Sequence, residues 1–202
     1  PIYETIQTLE DFLDLKVNYY AKTNFSGITN IIDALGGVEV DSPYEFTTLH
    51  GNYKIKKGVN ELNGDQALCF VRERYALPSG DFDRGKNQQR LLKAMLKKAM
   101  SPKIITNYSN ILAAVEGSFE TDMSSDDIKS LVNMQLDDMA NWEMFNVQVT
   151  GDGAISYDTY SQKGKKTYIT IPYKKSIQNI RKVIDKIEAG KKLTEADVKG
   201  LS

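Results

Sequence analysis

Between residues 28 and 40 the apolar spacing switches from that of a helix to that of a strand. Ile28, Ile31, Ile32 and Leu35 recur at intervals of three and four, which puts them on one helix face. Asn24 or Ser26 supplies the N-cap, and Gly36-Gly37 the stop. Immediately beyond, Val38-Glu39-Val40 alternates as a short strand does. Upstream, Lys16–Asn24 places Val17, Tyr19 and Ala21 on one face and Asn18, Tyr20 and Lys22 on the other, a second strand pattern. A strand–helix–strand succession argues against an all-helical bundle and for α/β or α+β architecture.

The flanking chain continues the alternation. Ile2, Ile6, Leu9, Phe12 and Leu13 predict an amphipathic helix at the start. Residues 41–63, with Pro43, Gly51 and Gly58, read as a loop or hairpin with Tyr53–Lys57 extended. Asp65–Tyr75 fits a helix on Leu68, Val71 and Tyr75, although Cys69-Phe70-Val71 alone suits a strand. Ala76–Asp83, holding Pro78 and Gly80, is read as loop. Leu91, Leu92, Met95 and Ala99 predict a long helix from about Arg84 to Met100, and Ser101-Pro102 restarts another. Ser124 and Asp127 form a capping-box pattern before Ile128, Leu131, Val132 and Leu136. Phe145–Val149 and Thr167–Ile171 read as strands, with Gly151-Asp152-Gly153 as a turn between them. Ile177, Ile180, Ile184 and Ile187 form a closing helix that Gly190 ends. No repeat or linker splits the chain, so one domain is expected.

Charge and scarce residues narrow the chemistry. The 202 residues carry 26 Lys+Arg against 27 Asp+Glu, a net charge of −1 that gives no whole-chain reason to bind nucleic acid. Cys69 is the only cysteine, which excludes an intrachain disulfide and a multi-cysteine metal centre. His50 is the only histidine, and its place in Leu49-His50-Gly51 suits a surface loop. The longest apolar run, Ile111–Val115, falls far short of the roughly 20 residues of a membrane span. Cys69 and Trp142 are both read as core residues.

Local charge is uneven. Arg72–Lys103 holds nine basic and three acidic residues, whereas Glu116–Glu143 holds eight acidic residues and one lysine. Within the basic stretch, Arg72-Glu73-Arg74 precedes Pro78-Ser79-Gly80-Asp81-Phe82-Asp83-Arg84 and then Gln88-Gln89. Guanidinium groups present planar donor forks that match phosphate oxygens, so clustered arginines around a glycine loop suit a diphosphate. Arg72 and Arg74 could instead pair with Glu73, Asp81 and Asp83 as surface salt bridges. Spacing leaves both readings open. Neither a Gly-x-x-x-x-Gly-Lys-Ser/Thr nor a Gly-x-Gly-x-x-Gly phosphate loop is present.

Three segments in order resemble signatures of the LytR-CpsA-Psr family. They are Asn24-Phe25-Ser26-Gly27 with Ile31-Ile32-Asp33-Ala34-Leu35-Gly36-Gly37-Val38-Glu39-Val40; Gly58–Leu68 running into Phe70-Val71-Arg72-Glu73-Arg74; and Pro78–Arg84 followed by Gln88. The resemblance implies a mixed central β-sheet wrapped by helices, with an apolar channel for a polyprenyl chain. It places residues 1–188 in the C-terminal part of the catalytic domain, without its N-terminal strands, and leaves 189–202 as a tail.

The implied activity is that of a phosphotransferase of cell-wall biogenesis, membrane-anchored on the extracellular face of the cytoplasmic membrane of a Gram-positive bacterium. Teichoic acid or capsular polysaccharide moves from a polyprenyl-pyrophosphate carrier onto peptidoglycan, with Mg²⁺ as the cation. Carried over by position, Arg72, Arg74 and Arg84 grip the pyrophosphate with Gln88 as a polar partner. Asp81 joins Arg72 and Arg74 as a catalytic candidate, orienting the arginines or taking the proton of the attacking hydroxyl. Ile28, Ile31, Ile32 and Leu35 line the lipid channel.

The family usually carries arginine where Asn87 stands and a small residue where Asp83 stands, which implies a looser anion grip. Its metal-binding aspartates, a further arginine and the membrane anchor belong to a preceding segment. The metal ligands are therefore expected outside this chain, and an N-terminal fragment of the same protein is an expected partner without which the chain is inactive. Two other readings are a transcription regulator or attenuator, a label the family has carried, and a non-catalytic module that binds polyprenyl phosphates. No helix-turn-helix with a basic recognition helix supports the first.

Overall fold

Side-chain caps start four of the helices, whereas the strand pairs range from a local hairpin to partners at Ala21 and Thr121. The computed structural model describes residues 2–201. In chain order it contains α1 (Ile2–Leu13), β1 (Ala21–Thr23), α2 (Phe25–Ala34), β2 (Val38–Ser42), β3 (Phe46–Thr47), β4 (Lys54–Ile55), β5 (Gly58–Leu62), α3 (Gly64–Arg72) and α4 (Asp81–Ala99). There follow α5 (Pro102–Ile105), α6 (Tyr108–Ala114), β6 (Phe119–Thr121), α7 (Ser125–Asp138), β7 (Gly151–Ser156), β8 (Thr167–Pro172), α8 (Lys174–Glu188) and α9 (Glu195–Val198). The mixed α/β architecture expected from the sequence is present. Among the described residues the strands pair as four antiparallel two-stranded sheets: β1 with β6, β2 with β5, β3 with β4 and β7 with β8.

Tyr19–Glu143 forms one compact unit. Asn24 caps α2 by accepting the Gly27 amide at 2.8 Å. The helix ends in a Schellman arrangement, with the amides of Gly36 and Gly37 on the carbonyls of Asp33 and Ile32, both at 2.9 Å. Both glycines sit at positive φ, 75° and 85°, where a side chain is strained. Strand β2 then alternates inward Val38, Val40 and Ser42 with outward Glu39 and Asp41. Its inner face joins Ile32, Phe46, Ile55, Leu62, Ala67, Phe70 and Leu91 in one core, in which the Phe46 and Phe70 rings stack 5.9 Å apart.

The second unit combines the chain up to Asn18 with the chain from Met144 onward. Here α1 packs on α8, and Arg181 of α8 donates to the Phe12 carbonyl at 3.0 Å. Ile180 and Val183 form the buried stripe of α8. A reciprocal capping box between Thr194 and Asp197 starts α9.

Several local expectations need correction. Of the strand expected over Lys16–Asn24, only Ala21–Thr23 pairs; the Val17 amide is taken by the Glu10 carboxylate and that of Tyr20 by Asp122. Phe145–Val149 forms no ladder, and the Gln148 amide donates to the Leu201 carbonyl instead. Gly151-Asp152-Gly153 is not a turn but the start of β7, where the Gly151 backbone lies so close to Ile171 that a Cβ would meet its carbonyl at 2.1 Å. Helix α3 ends at Arg72 and leaves Tyr75 exposed, whereas α4 begins three residues before Arg84. Trp142 is half exposed, its indole N–H donating to Gln135 Oε1 at 2.6 Å, and is not a core residue.

Candidate functional site

Helices α2 and α3 meet at both ends. At one end the Gly64 amide donates to Asp33 Oδ1 at 2.8 Å. A Cβ on Gly64 would lie 2.4 Å from the Thr29 carbonyl oxygen, so the backbones approach as only glycine permits. At the other end Arg72, the last residue of α3, lays its guanidinium 4.9 Å from the centroid of the Phe25 ring, the first residue of α2. Among the described residues no carboxylate comes within ion-pairing distance of Arg72.

The chain leaves α3 through Glu73, which takes an extended conformation and is only 3% exposed. Its carboxylate accepts four backbone N–H bonds, from Leu49 at 2.6 Å, Tyr75 at 2.8 Å, Arg74 at 2.9 Å and Ala76 at 3.0 Å. Burial pushes this carboxyl up, but the four donors outweigh burial and hold it below the usual carboxylate range. Glu73 is thus committed to the backbone. It folds the arginine loop and ties it to the β3–β4 turn rather than neutralising Arg72 or Arg74.

Asp81 is the acid that meets the arginines. Its Oδ1 lies 2.9 Å from Arg84 Nη2 and 3.7 Å from Arg74 Nη1. Arg74 is further held by its neighbour Tyr75, stacking 4.6 Å over the ring and donating to the phenol oxygen at 2.9 Å. Arg74, Arg84 and Asp81 therefore form one exposed group. Gln88 lies on the same face of α4 as Asp81 and Arg84, seven and four residues on, and is exposed. Of the surface ion pairs the sequence allowed for Arg72 and Arg74, only Arg74–Asp81 forms, and with Arg84 on the same carboxylate the group keeps excess positive charge. Two converging forks of this kind suit an oxygen-rich anion.

Asp83 plays a different part from the one its sequence position suggested. It is buried at 5% exposure and accepts the Ser79 amide at 2.8 Å, closing the first turn of α4, where a negative charge also suits the helix dipole. Asn87, one turn on, is 1% exposed; its Oδ1 accepts from Arg90 at 2.9 Å, while its buried Nδ2 has no partner. The inner face of α4 thus runs Asp83, Asn87, Leu91, Ala94, and Leu92 points outward.

The proposed channel residues divide. Ile32 and Leu35 are buried, Ile28 is part-buried against the core, and Ile31 is half-buried. Burial pushes the Cys69 thiol up, which disfavours a reactive thiolate. Among the described residues no group of three or more His, Cys, Asp or Glu side chains is placed to hold a metal ion. Sequence reasoning missed the loop-folding role of Glu73 and the aromatic supports Phe25 and Tyr75. Tyr75 was signalled by its place next to Arg74, whereas Phe25 lies far from the arginines in sequence and Glu73 reads equally well as an arginine partner.

The LytR_cpsA_psr family matches residues 2–189. A polyisoprenyl-teichoic acid–peptidoglycan teichoic acid transferase TagU of Bacillus cereus (strain AH820) is 36% identical over 149 residues, covering 74% of this chain and 48% of that protein. The chain thus spans about half the length of the curated relatives it matches. Among solved structures, B. subtilis TagV superposes with a TM-score of 0.75 at 24% identity over 95% of this chain and 71% of that one, which speaks for the fold alone. B. subtilis TagU gives 0.66 at 26% identity, covering 95% and 74%.

Proposed function

The chain belongs to the LytR-CpsA-Psr family, and from that premise we propose that it forms the diphosphate-gripping part of a glycopolymer phosphotransferase. The substrate is teichoic acid or capsular polysaccharide on a polyprenyl-pyrophosphate carrier, and the acceptor is a peptidoglycan hydroxyl at the outer face of the cytoplasmic membrane. The observation that carries the reading is the convergence of Arg74 and Arg84 on the single Oδ1 of Asp81.

In this reading the acceptor oxygen bonds to the phosphorus next to the sugar, and the bond from that phosphorus to the bridging oxygen breaks. Polyprenyl phosphate departs and takes up the hydroxyl proton. Arg72, Arg74 and Arg84 bind the diphosphate oxygens and offset the charge that builds up on the leaving phosphate. Asp81 orients Arg74 and Arg84, a role its two contacts favour over that of a base. Gln88 adds a polar contact. The polyprenyl tail follows Ile28 and Ile31, which Ile32 and Leu35 back from the core. Mg²⁺ is the cation that the family implies.

Native mass spectrometry of the protein with a polyprenyl pyrophosphate tests the reading. A one-to-one complex, lost in Arg72→Ala/Arg74→Ala, is expected. Equal retention by that folded double variant, or no complex with the wild type, defeats it.

A further inference from the structure

The α8–α9 end of the chain holds a hollow of about 320 Å³ with an unusual balance of charge. Lys182 and Lys186 stand one turn apart on α8 and both line it, as does Lys199 just after α9. Asn179 lies three residues before Lys182 on the same helix face, and Val183, 7% exposed, lies among the lining residues.

The one carboxylate in the hollow is already committed. Asp197 Oδ2 lies 2.6 Å from Lys186 Nζ and accepts both the amide and the hydroxyl of Thr194 at 2.8 Å. The lysine hydrogen bond, with those from Thr194, holds its carboxyl down to about 2, so it is ionised throughout the physiological range. Lys182 and Lys199 meet no carboxylate among the described residues. Three ammonium groups against one carboxylate leave a net charge of +2 in a concave site with an amide side chain.

The geometry points to a second anion site, in which Lys182, Lys199 and Asn179 bind a phosphate group. Two mobile ammonium donors and an amide match tetrahedral oxygens without the fixed fork of a guanidinium. The phosphate comes either from the medium or from a phosphodiester-linked polyol polymer, whose units fit a hollow of this size. The site is independent of whether the arginine loop binds a diphosphate.

The test is a titration of ¹⁵N-labelled protein, followed by amide shifts, with inorganic phosphate in one arm and a glycerol-phosphate oligomer in the other. Saturable shifts centred on residues 179–201 are expected, weakened about tenfold in Lys182→Ala/Lys199→Ala, which should melt with the wild type. Tighter binding of the oligomer identifies the polymer as the source, and equal binding identifies free phosphate. Arg72→Ala/Arg74→Ala should leave these shifts intact, which separates failure here from failure at the arginine loop. Absent or non-saturable shifts, or unchanged affinity in the lysine double variant, overturn the site.

Discussion

The arginine loop and the lysine hollow both gather positive charge, yet their acids do opposite work. At the loop Asp81 brings two guanidiniums to one point, each also restrained by its helix or by an aromatic ring. At the hollow Asp197 occupies one ammonium and caps α9, which subtracts charge without gathering the other two lysines. Arginine forks arranged in advance favour one oxygen geometry, whereas lysines on flexible stems favour negative charge in general. On the proposed readings the first serves recognition and the second attraction.

The largest effect should come from the acid that touches no cation. Removing the Glu73 carboxylate strands four backbone donors, so Glu73→Ala should destabilise the protein by about 3 kcal/mol, a fall in melting temperature of roughly 6–12 °C. A melt within about 1 °C of wild type would show that the loop holds without it. The folded carboxyl titrates below its unfolded value, so its stabilisation is complete above about pH 4.3 and disappears as pH falls through the folded value. Acid unfolding of Glu73→Gln should lack that component of the slope.

Next in size is the contrast between cation types. Arg74→Lys keeps the charge but loses the fork and the planar stacking on Tyr75, and should weaken diphosphate binding about tenfold by calorimetry. Lys182→Arg in the hollow should change phosphate affinity by less than about twofold. Equal effects would erase the distinction between the two regions.

A third pair of effects carries opposite signs. Asp81→Asn should weaken diphosphate binding about threefold, because Arg74 and Arg84 lose their shared anchor. Asp197→Asn should strengthen phosphate binding in the hollow about threefold, because Lys186 is released. Both changes remove one negative charge, so a simple field argument predicts that both tighten binding, and parallel titrations decide between the two accounts.

Much of this was legible locally. Asn24, Gly36-Gly37 and the Ser124–Asp127 box announce helix ends because their partners lie within a few residues. Strands hid where pairing is remote: β1 and β6 are almost a hundred residues apart, and alternation alone could not tell that Val17 and Tyr20 give their amides to carboxylates. The face of α4 was misjudged because polar Asp83 and Asn87 turn inward while Leu92 turns out. The arginines were visible as a cluster. That two of them meet at Asp81, whereas Glu73 serves the backbone, required the folded loop.

The double contact between α2 and α3 reaches beyond packing. One end is pinned where Gly64 touches Thr29 and Asp33, the other where Arg72 covers Phe25, so the nine residues of α3 act as a caliper. Inserting a single residue between those points would turn Arg72 by about 100° and carry it about 1.5 Å along the axis, away from its ring. Substitutions along the outer face of α3 should therefore be tolerated where changes of length are not. In homologous chains this stretch should keep its residue count even where its exposed positions differ.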